Sequence, residues 1–292
     1  MKKIGFIGVG IMGKSMVRNL MNAGYDLRIY ARNKEKVEDV IQEGASFCDS
    51  IQDCVKDADV VITIVGFPKD VEEVYFEEGN ILDSVKSGTI LIDMTTTSPQ
   101  IAKKLYEEGK KRSLYVLDAP VTGGDTGAKA GTLSILAGGE KEVFLECMPI
   151  FKAMGTNIRY QGKAGSGQYC KLANQIMIAG TLSGVCEALS FAKAKGLDLQ
   201  TVIDSVATGA AGSAQLNSLG SKILDEDYAP GFFMKHFIKD MKLALIEANM
   251  SDLELSVLSQ TLANYEELAA EGFGELGTQA LIKYYEEGTA EE

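Results

Sequence analysis

The chain has 292 residues, 46% of them hydrophobic, and its 41 acidic residues against 29 basic ones give a net charge of -12. This length can bury a large core and is sufficient for two domains. The negative charge opposes contact with phosphate backbones, so no nucleic acid is expected as a partner. There is no run of about 18 uncharged apolar residues, so no membrane partner is expected either. The five cysteines form no C-x-x-C pair, which favours reduced thiols in the cytoplasm over a disulfide framework or a metal site.

The first half of the chain alternates short apolar runs with amphipathic stretches. Its opening residues, MKKIGFIGVGIMG, are interrupted by glycines, which favours a strand and a turn over a signal peptide. The apolar runs that follow are LRIYA, ADVVITIV, GTILIDM and SLYVLDAPV. This order predicts a parallel sheet that is covered by helices on both faces.

The second half has no β-branched runs and is typical of helices. The segment from Gly165 to about Lys195 is apolar on most of its circumference, which predicts one long buried helix. Further helices are predicted near residues 199–207, 214–224, 237–249, 257–270 and 278–287.

A glycine-rich turn joins the first predicted strand to the first predicted helix. The segment Gly8-Val9-Gly10-Ile11-Met12-Gly13 has the G-x-G-x-x-G spacing of a dinucleotide-binding turn. Such glycines allow a tight turn and bring a pyrophosphate close to the free N–H groups of the helix start. An ordinary glycine-rich turn has the same composition, but the strand before it and the helix after it favour a cofactor site. The expected contacts are Gly8, Gly10, Ile11, Met12 and Gly13.

The end of the second strand distinguishes NADP from NAD. NAD sites usually carry an acidic residue there for the ribose hydroxyls, whereas this strand continues into Ala31, Arg32 and Asn33. Arg32 and Asn33 could bind a 2'-phosphate, so NADP is expected with NAD as the less favoured cofactor. The alternative is that Arg32 is a solvated charge at a strand end.

Glycines also cluster in DAPVTGGDTGAKAGTLSILAGG, residues 118–139. Ligands of open α/β sheets bind beyond the carboxyl ends of the strands, so the amides of Thr122, Gly123 and Gly124 could hold a carboxylate. A glycine-rich hairpin that leads to an edge strand over Thr132–Ala137 explains the same composition.

Polar side chains share one face of the long helix. Lys171, Asn174 and Gln175 stand at i, i+3 and i+4, where a buried lysine would have a lowered pKa suited to proton transfer. A lysine that snorkels to solvent is the alternative. The only histidine, His236, is interpreted as solvated or at the edge of the core and not as an acid/base group.

Five motifs together resemble the β-hydroxyacid dehydrogenase family: GFIGVGIMGKSM, LIDMTTTSP, the segment at 118–139, GAGSGQYCKLANQ and FIKDMKLAL. The resemblance implies an α/β fold, with an N-terminal Rossmann-type doubly wound sheet over residues 1–163 and an all-helical C-terminal domain over 164–292. It also implies that Lys171 is the general acid/base in a cleft between the domains, and that Lys239 lies near the nicotinamide. The remaining roles implied are carboxylate binding by Thr122, Gly123 and Gly124, substrate orientation by Asn174 and Gln175, and cofactor contacts by Val65 and Thr96.

The resemblance further implies a reductase of a small carboxylated aldehyde or ketone, with glyoxylate, succinic semialdehyde, tartronate semialdehyde and methylmalonate semialdehyde as candidate substrates. Two alternatives remain open: an imine reductase, which usually lacks the lysine, and a non-catalytic cofactor-binding protein. The apolar helical half favours a homodimer or homotetramer.

Overall fold

The computed structural model describes residues 2–287, and the chain divides into two compact units. The first unit extends to Lys171 and the second starts at Leu172. This division falls inside one continuous helix, whereas the sequence placed the domain limit just before that helix. The final segment of the predicted second domain, 288–292, lies outside the described residues.

The first unit contains a nine-stranded sheet. Its strands are β1 (Lys3–Ile7), β2 (Asp26–Tyr30), β3 (Ser46–Phe47), β4 (Val60–Thr63), β5 (Ile90–Asp93), β6 (Tyr115–Asp118), β7 (Val121–Thr122), β8 (Leu133–Gly139) and β9 (Gly155–Gly162). Six of them run parallel in the order β3-β2-β1-β4-β5-β6. The strand order therefore reverses at β1, which is where open α/β sheets bind ligands beyond their carboxyl ends.

Helices cover both faces of the sheet, as the alternating pattern predicts. They are α1 (Ile11–Asn22), α2 (Glu38–Gln42), α3 (Ile51–Val55), α4 (Pro68–Phe76), α5 (Ile81–Ser84), α6 (Pro99–Lys111), α7 (Gly124–Ala130), α8 (Lys141–Glu146) and α9 (Met148–Met154), with a 3-10 turn at Glu35–Val37. Side chains of the central strands alternate between two cores: Val60 and Ile62 of β4 enter one, and Val61 enters the other. A strand that is buried on both faces becomes a continuous apolar run, which explains the sequence ADVVITIV.

At the end of the sheet that contains β7, β8 and β9, the prediction of an edge strand was wrong. The segment predicted as an edge strand, Thr132–Ala137, forms β8, which is internal because it pairs with β6 and β7 on one side and with β9 on the other. It runs antiparallel to β6 and β7, since the short α7 connection cannot make a parallel crossover. The sequence missed β9 because most of its residues are exposed or half-buried and show no apolar alternation.

The second unit is helical in the described residues. Helix α10 (Ser166–Ala194) begins in the first unit and continues into the second. The other helices are α11 (Leu199–Val206), α12 (Ala214–Leu224), α13 (Met234–Asn249), α14 (Ser256–Ala270) and α15 (Ile282–Glu287), with 3-10 turns at Phe273–Glu275 and Thr278–Leu281. Their core contains the fully buried rings of Phe237 and Tyr265, which meet edge to face at 5.4 Å.

Helix α10 has 29 residues and is therefore about 43 Å long. Among the described helices it alone is long and apolar enough to cross a bilayer by length and composition, and 44% of that apolar stretch is buried inside the protein. The central helix of a globular core has the same composition, so this property by itself does not indicate a membrane.

Candidate functional site

Three glycines of the first turn have three separate structural roles. Gly8 has a positive φ of 96°, and a Cβ there would collide with the main-chain oxygen of Ile64 at the end of β4. A Cβ on Gly13 would collide with the main-chain oxygen of Gly8, so Gly13 lets helix α1 pack closely on the turn. Gly10 faces open space. The turn is thus tight and leaves bare backbone exposed at the point where the strand order reverses.

The N-terminus of helix α1 has the properties of an anion site. Gly10 precedes the first helical residue, no side chain caps the helix, and its first turn contains no acidic residue. The first amides of a helix have no partner within it, and together with the helix dipole they attract negative charge. The amides of Ile11, Met12 and Gly13 therefore fit a pyrophosphate.

The loops after β4 and β5 lie beside this turn. Val65 packs against Gly8, and its N–H donates a 3.0 Å hydrogen bond to the hydroxyl of Thr95. Thr96 follows in the loop after β5 and is half-buried. Both expected cofactor residues therefore belong to loops at the carboxyl edge of the sheet.

Gln168, on the first turn of α10, holds the Thr96 loop from both sides. Its side chain is fully buried, accepts a 3.0 Å hydrogen bond from the N–H of Thr97, and donates a 2.8 Å bond to the main-chain oxygen of Thr95. Sequence reasoning missed this residue. Its only signal was a glutamine directly after the small residues Ser166 and Gly167 at the helix start.

The carboxylate of Asp118 caps the start of α10. It accepts hydrogen bonds from the N–H of Gly165 at 2.7 Å and of Gln168 at 2.9 Å. Burial raises the pKa of Asp118 to about 6, although both amide bonds act in the opposite direction. A Cβ on Gly138 would come within 2.6 Å of this carboxylate, so strand β8 also packs closely against it.

Lys171 lies one helical turn after Gln168 and is only 7% exposed. A snorkelling lysine keeps its ammonium group in water, which this degree of burial disfavours. Because Asp118 and Gln168 hold the first turn of α10 in place, they also set the direction in which Lys171 leaves the helix.

The expected carboxylate-binding segment follows β6. Thr122 ends strand β7 and is half-buried, while Gly123 and Gly124 are exposed and have positive φ values of 130° and 65°. Side chains rarely adopt these angles, so glycine is required to make the turn. The turn leaves its backbone exposed, and carboxylate binding there stays a prediction.

In the second unit, three polar side chains form one hydrogen-bonded chain, and an ion pair connects a fourth side chain to its end. The amide of Asn174 donates to Gln175 at 2.7 Å, and Gln175 donates to the carboxylate of Asp240 at 2.7 Å. The ammonium group of Lys239 forms an ion pair with Asp240 at 2.8 Å. Three expected residues are therefore connected through Asp240, which sequence reasoning missed although it stands beside Lys239 in FIKD.

Arg32 lies where the 2'-phosphate of NADP is expected, but carboxylates already contact it. Its guanidinium group binds Asp70 at 3.0 Å and Glu73 at 2.7 Å, and its side chain is 63% exposed. The hydrogen bond to Asp70 is the main reason that the pKa of Arg32 is raised. Asn33 is exposed and accepts a hydrogen bond from the N–H of Lys36 at 3.2 Å. A phosphate would compete with the two carboxylates for Arg32.

His236 lies among aromatic rings and is half-buried. The ring of Phe233 meets it edge to face at 5.8 Å, and burial together with Lys239 and Lys235 lowers its pKa. The imidazole is therefore neutral at pH 7. In the described residues, no three His, Cys, Asp or Glu side chains converge as metal ligands would.

A cofactor turn at the switch point of a doubly wound sheet, followed by a helical unit, defines a dinucleotide-dependent oxidoreductase. Two family models match the chain: the NAD-binding domain of 6-phosphogluconate dehydrogenase over residues 3–162, and the NAD-binding domain of NADP-dependent 3-hydroxyisobutyrate dehydrogenase over residues 165–285. The chain belongs to the β-hydroxyacid dehydrogenase family and is an NAD(P)-dependent hydroxyacid dehydrogenase that acts on small substrates.

Relatives cover nearly the whole chain. A probable 3-hydroxyisobutyrate dehydrogenase-like protein of Arabidopsis thaliana mitochondria is 41% identical over 96% of this chain and 84% of its own. The 2-hydroxy-3-oxopropionate reductase of Escherichia coli is 34% identical over 97% of each chain. Among solved structures, the 3-hydroxyisobutyrate dehydrogenase of Mycobacterium tuberculosis with L-serine is 28% identical, with a TM-score of 0.87 over 97% of this chain and 98% of that one.

Proposed function

We propose that the protein is an NADP-preferring reductase of a small carboxylated aldehyde or ketone, with Lys171 as its general acid/base. The observation that carries this proposal is the buried Lys171 on a helix whose first turn is bonded, through Gln168, to the loop that contains Thr96. One turn of helix thus couples the expected proton donor to an expected cofactor contact.

NADPH, when bound, supplies a hydride to the carbonyl carbon of the substrate. Lys171 donates a proton to the carbonyl oxygen as negative charge develops there, and in the reverse direction neutral Lys171 accepts the hydroxyl proton. Thr122 with the amides of Gly123 and Gly124 binds the substrate carboxylate. Asn174 and Gln175 orient the substrate, and the bond from Gln175 to Asp240 holds that amide in one direction.

Arg32 determines the preference for NADP in this proposal. Its exposed ion pair with Glu73 is weak in water, so a 2'-phosphate can displace that carboxylate. Arg32→Ala is expected to raise the KM for NADPH by about tenfold or more and to leave that for NADH nearly unchanged. Glu73→Gln removes one of the two competing carboxylates, so we expect a lower KM for NADPH alone. Initial-rate kinetics with both cofactors measure these changes, and an equal effect on NADH would contradict the assignment.

The substrate class is tested with glyoxylate, succinic semialdehyde, tartronate semialdehyde and methylmalonate semialdehyde. Tartronate semialdehyde is 2-hydroxy-3-oxopropionate, the compound in the name of the Escherichia coli relative. L-serine is added as an oxidation substrate because it accompanies the Mycobacterium tuberculosis structure. All five compounds have a carboxylate next to or near the reacting carbon, as binding at Thr122 requires.

The role of Lys171 is tested with Lys171→Met, which keeps the length of the side chain and removes its charge. Loss of a general acid typically costs a factor of about 100 to 10,000 in rate, so kcat should fall by that amount while NADPH binding, followed by fluorescence, persists. Lys193→Met is the matched control because Lys193 is an exposed lysine of the same helix.

If Lys171→Met turns over the carboxylated aldehydes at the rate of the unmodified protein, the proposed mechanism is wrong. Turnover of a cyclic imine that does not depend on Lys171 would favour an imine reductase instead. Cofactor binding without turnover of any compound by the unmodified protein would favour a non-catalytic role.

We also infer a homodimer, or a tetramer built from dimers. One face of α10 exposes Met177 and Phe191 beside Gly184, and Val257 of the second unit is also exposed. Large apolar side chains grouped on one surface usually mark a protein contact. Light scattering after gel filtration measures the mass, and a monomer would contradict this inference.

A further inference from the structure

Polar side chains interrupt the apolar core of the first unit directly before the loops after β4 and β5. Thr63 is the last residue of β4, and Asp93 is the last residue of β5. The two are paired on neighbouring parallel strands, so their side chains share one face of the sheet. Tyr75 reaches them from helix α4. All three residues are at most 2% exposed, so water competes little for their hydrogen bonds.

The hydrogen bonds between these three side chains run in one direction. The hydroxyl of Thr63 donates a 2.8 Å bond to the carboxylate of Asp93. A hydroxyl has only one proton, so Thr63 must accept the 2.8 Å bond that joins it to the hydroxyl of Tyr75. Tyr75 therefore donates to Thr63, and Thr63 donates to Asp93. Buried bonds in such a chain polarise one another, which strengthens each of them.

The carboxylate of Asp93 also holds the two loops that follow the strands. The oxygen that accepts from Thr63 accepts a second bond, of 3.1 Å, from the N–H of Thr95. The hydroxyl of Thr95 in turn accepts a 3.0 Å bond from the N–H of Val65 in the neighbouring loop. Val65 and Thr96 are the expected cofactor contacts of these loops. Asp93 thus connects the strand ends to both segments that are expected to touch the cofactor.

Stability alone explains a buried hydroxyl, but it does not explain a chain of side chains that ends in a loop. A buried polar group lowers stability unless it has a hydrogen-bond partner, and one main-chain partner is sufficient. Tyr265 in the second unit is such a case, because it is fully buried and its hydroxyl donates a 2.7 Å bond to the main-chain oxygen of Thr278. The hydroxyl of Tyr75 is instead connected through Thr63 and Asp93 to a loop residue.

We propose that Tyr75, Thr63 and Asp93 are positioning residues for the cofactor, and that their hydrogen bonds fix the loops of Val65 and Thr96 before the cofactor binds. This inference rests on the proposed function, since it requires Val65 and Thr96 to be cofactor contacts. Loops that are already ordered lose less conformational entropy on binding, so the chain of bonds acts on cofactor affinity and not on the chemical step.

The effect is expected to be the same for NADPH and NADH. Val65 packs against Gly8, which belongs to the turn that either cofactor would use. The preference between the two cofactors is assigned to Arg32, so a loosened Val65 loop should weaken both by a similar factor.

The first test compares Tyr75→Phe with its matched control, Tyr265→Phe. Each variant loses one buried hydroxyl and its hydrogen bond, so calorimetry should show similar falls in the unfolding midpoint. Tyr75→Phe alone should raise the Kd of NADPH and of NADH, followed by cofactor fluorescence, roughly threefold to tenfold while kcat stays nearly unchanged. An unchanged Kd in Tyr75→Phe, or an equal rise in Tyr265→Phe, overturns the proposal.

A second pair of variants tests the hydroxyl in the middle of the chain. Thr63→Val keeps the shape of the side chain but removes the donor to Asp93, so the Kd of both cofactors should rise by about tenfold or more. Thr63→Ser keeps the hydroxyl and should bind them within about twofold of the unmodified protein. Equal binding by the two variants would contradict a role for this hydroxyl. Tyr75→Phe carries the test by itself if Thr63→Val does not fold.

Thr96→Val separates a failure of this inference from a failure of the proposed cofactor contact. Weaker cofactor binding by both Thr96→Val and Tyr75→Phe supports the inference. Weaker binding by Thr96→Val beside normal binding by Tyr75→Phe overturns the positioning role and leaves the contact intact. Normal binding by Thr96→Val removes the contact itself, and the inference fails with it.

Discussion

Gln168 provides the sharpest test of how the structure holds its cofactor loop. Replacing it with methionine keeps the side-chain volume and removes two hydrogen bonds, to the N–H of Thr97 and the main-chain oxygen of Thr95. Both partners belong to buried residues, so water cannot easily take the place of the amide. A buried polar group left without a partner costs about 1–3 kcal/mol.

The two groups left without partners should therefore lower the free energy of unfolding of the first unit by roughly 2–6 kcal/mol. For a unit of this size, that corresponds to a fall of roughly 4–24 °C in its unfolding midpoint. Calorimetry and guanidinium unfolding measure the change, with transitions analysed separately because the chain has two compact units.

Gln200→Met is the matched control, since Gln200 is an exposed helical glutamine that makes one side-chain hydrogen bond, to Asp204. That variant should stay within about 0.5 kcal/mol of the unmodified protein. Loss of the loop contact should also raise the KM for NADPH more than it lowers kcat, which a purely structural effect would not do. If Gln168→Met were as stable as the control, the reasoning about the buried amide would be refuted.

Two further predictions concern buried carboxylates. The pKa of Asp118 is raised to about 6 in the folded state, whereas an unfolded aspartate releases its proton near pH 4. Because the folded state binds this proton more tightly, the free energy of unfolding should fall by about 3 kcal/mol as the pH rises from about 4 to about 6. Asp118→Asn should lose that dependence in unfolding curves measured across this range, and an unchanged slope would contradict the raised pKa. Asp240→Asn leaves the ammonium of Lys239 without its carboxylate and should cost roughly 3 kcal/mol in urea unfolding, with a fall in kcat because Gln175 loses its anchor. Normal stability and normal kcat together would show that Asp240 holds neither residue.

The sequence determined the cofactor turn because its signal is local. Gly8 and Gly13 are required by backbone geometry within a single strand, turn and helix, and Gly10 leaves open space before the helix, so spacing alone indicates where the turn lies. The same is true of α10 and α12, whose predicted limits differ from the observed ones by at most about one residue, because helix periodicity is also a local property.

The sequence could not determine contacts between distant segments. Gln168 and Thr95 are far apart in the chain, as are Asp118 and Gly165, and no local pattern relates them. The edge position of β9 was hidden for a similar reason, because an exposed strand is stabilised by its neighbour and not by its own apolar residues.

The sequence by itself therefore determined the order of elements, the cofactor turn and the shared helical face of Lys171, Asn174 and Gln175, since each depends on residues close together in the chain. Only the tertiary structure decided which side chains hold that face and the cofactor loop in place. Asp118, Gln168 and Asp240 have hydrogen-bond partners that are distant in the chain, so these bonds form only after folding. Burial then strengthens the bonds, because it removes water as a competitor.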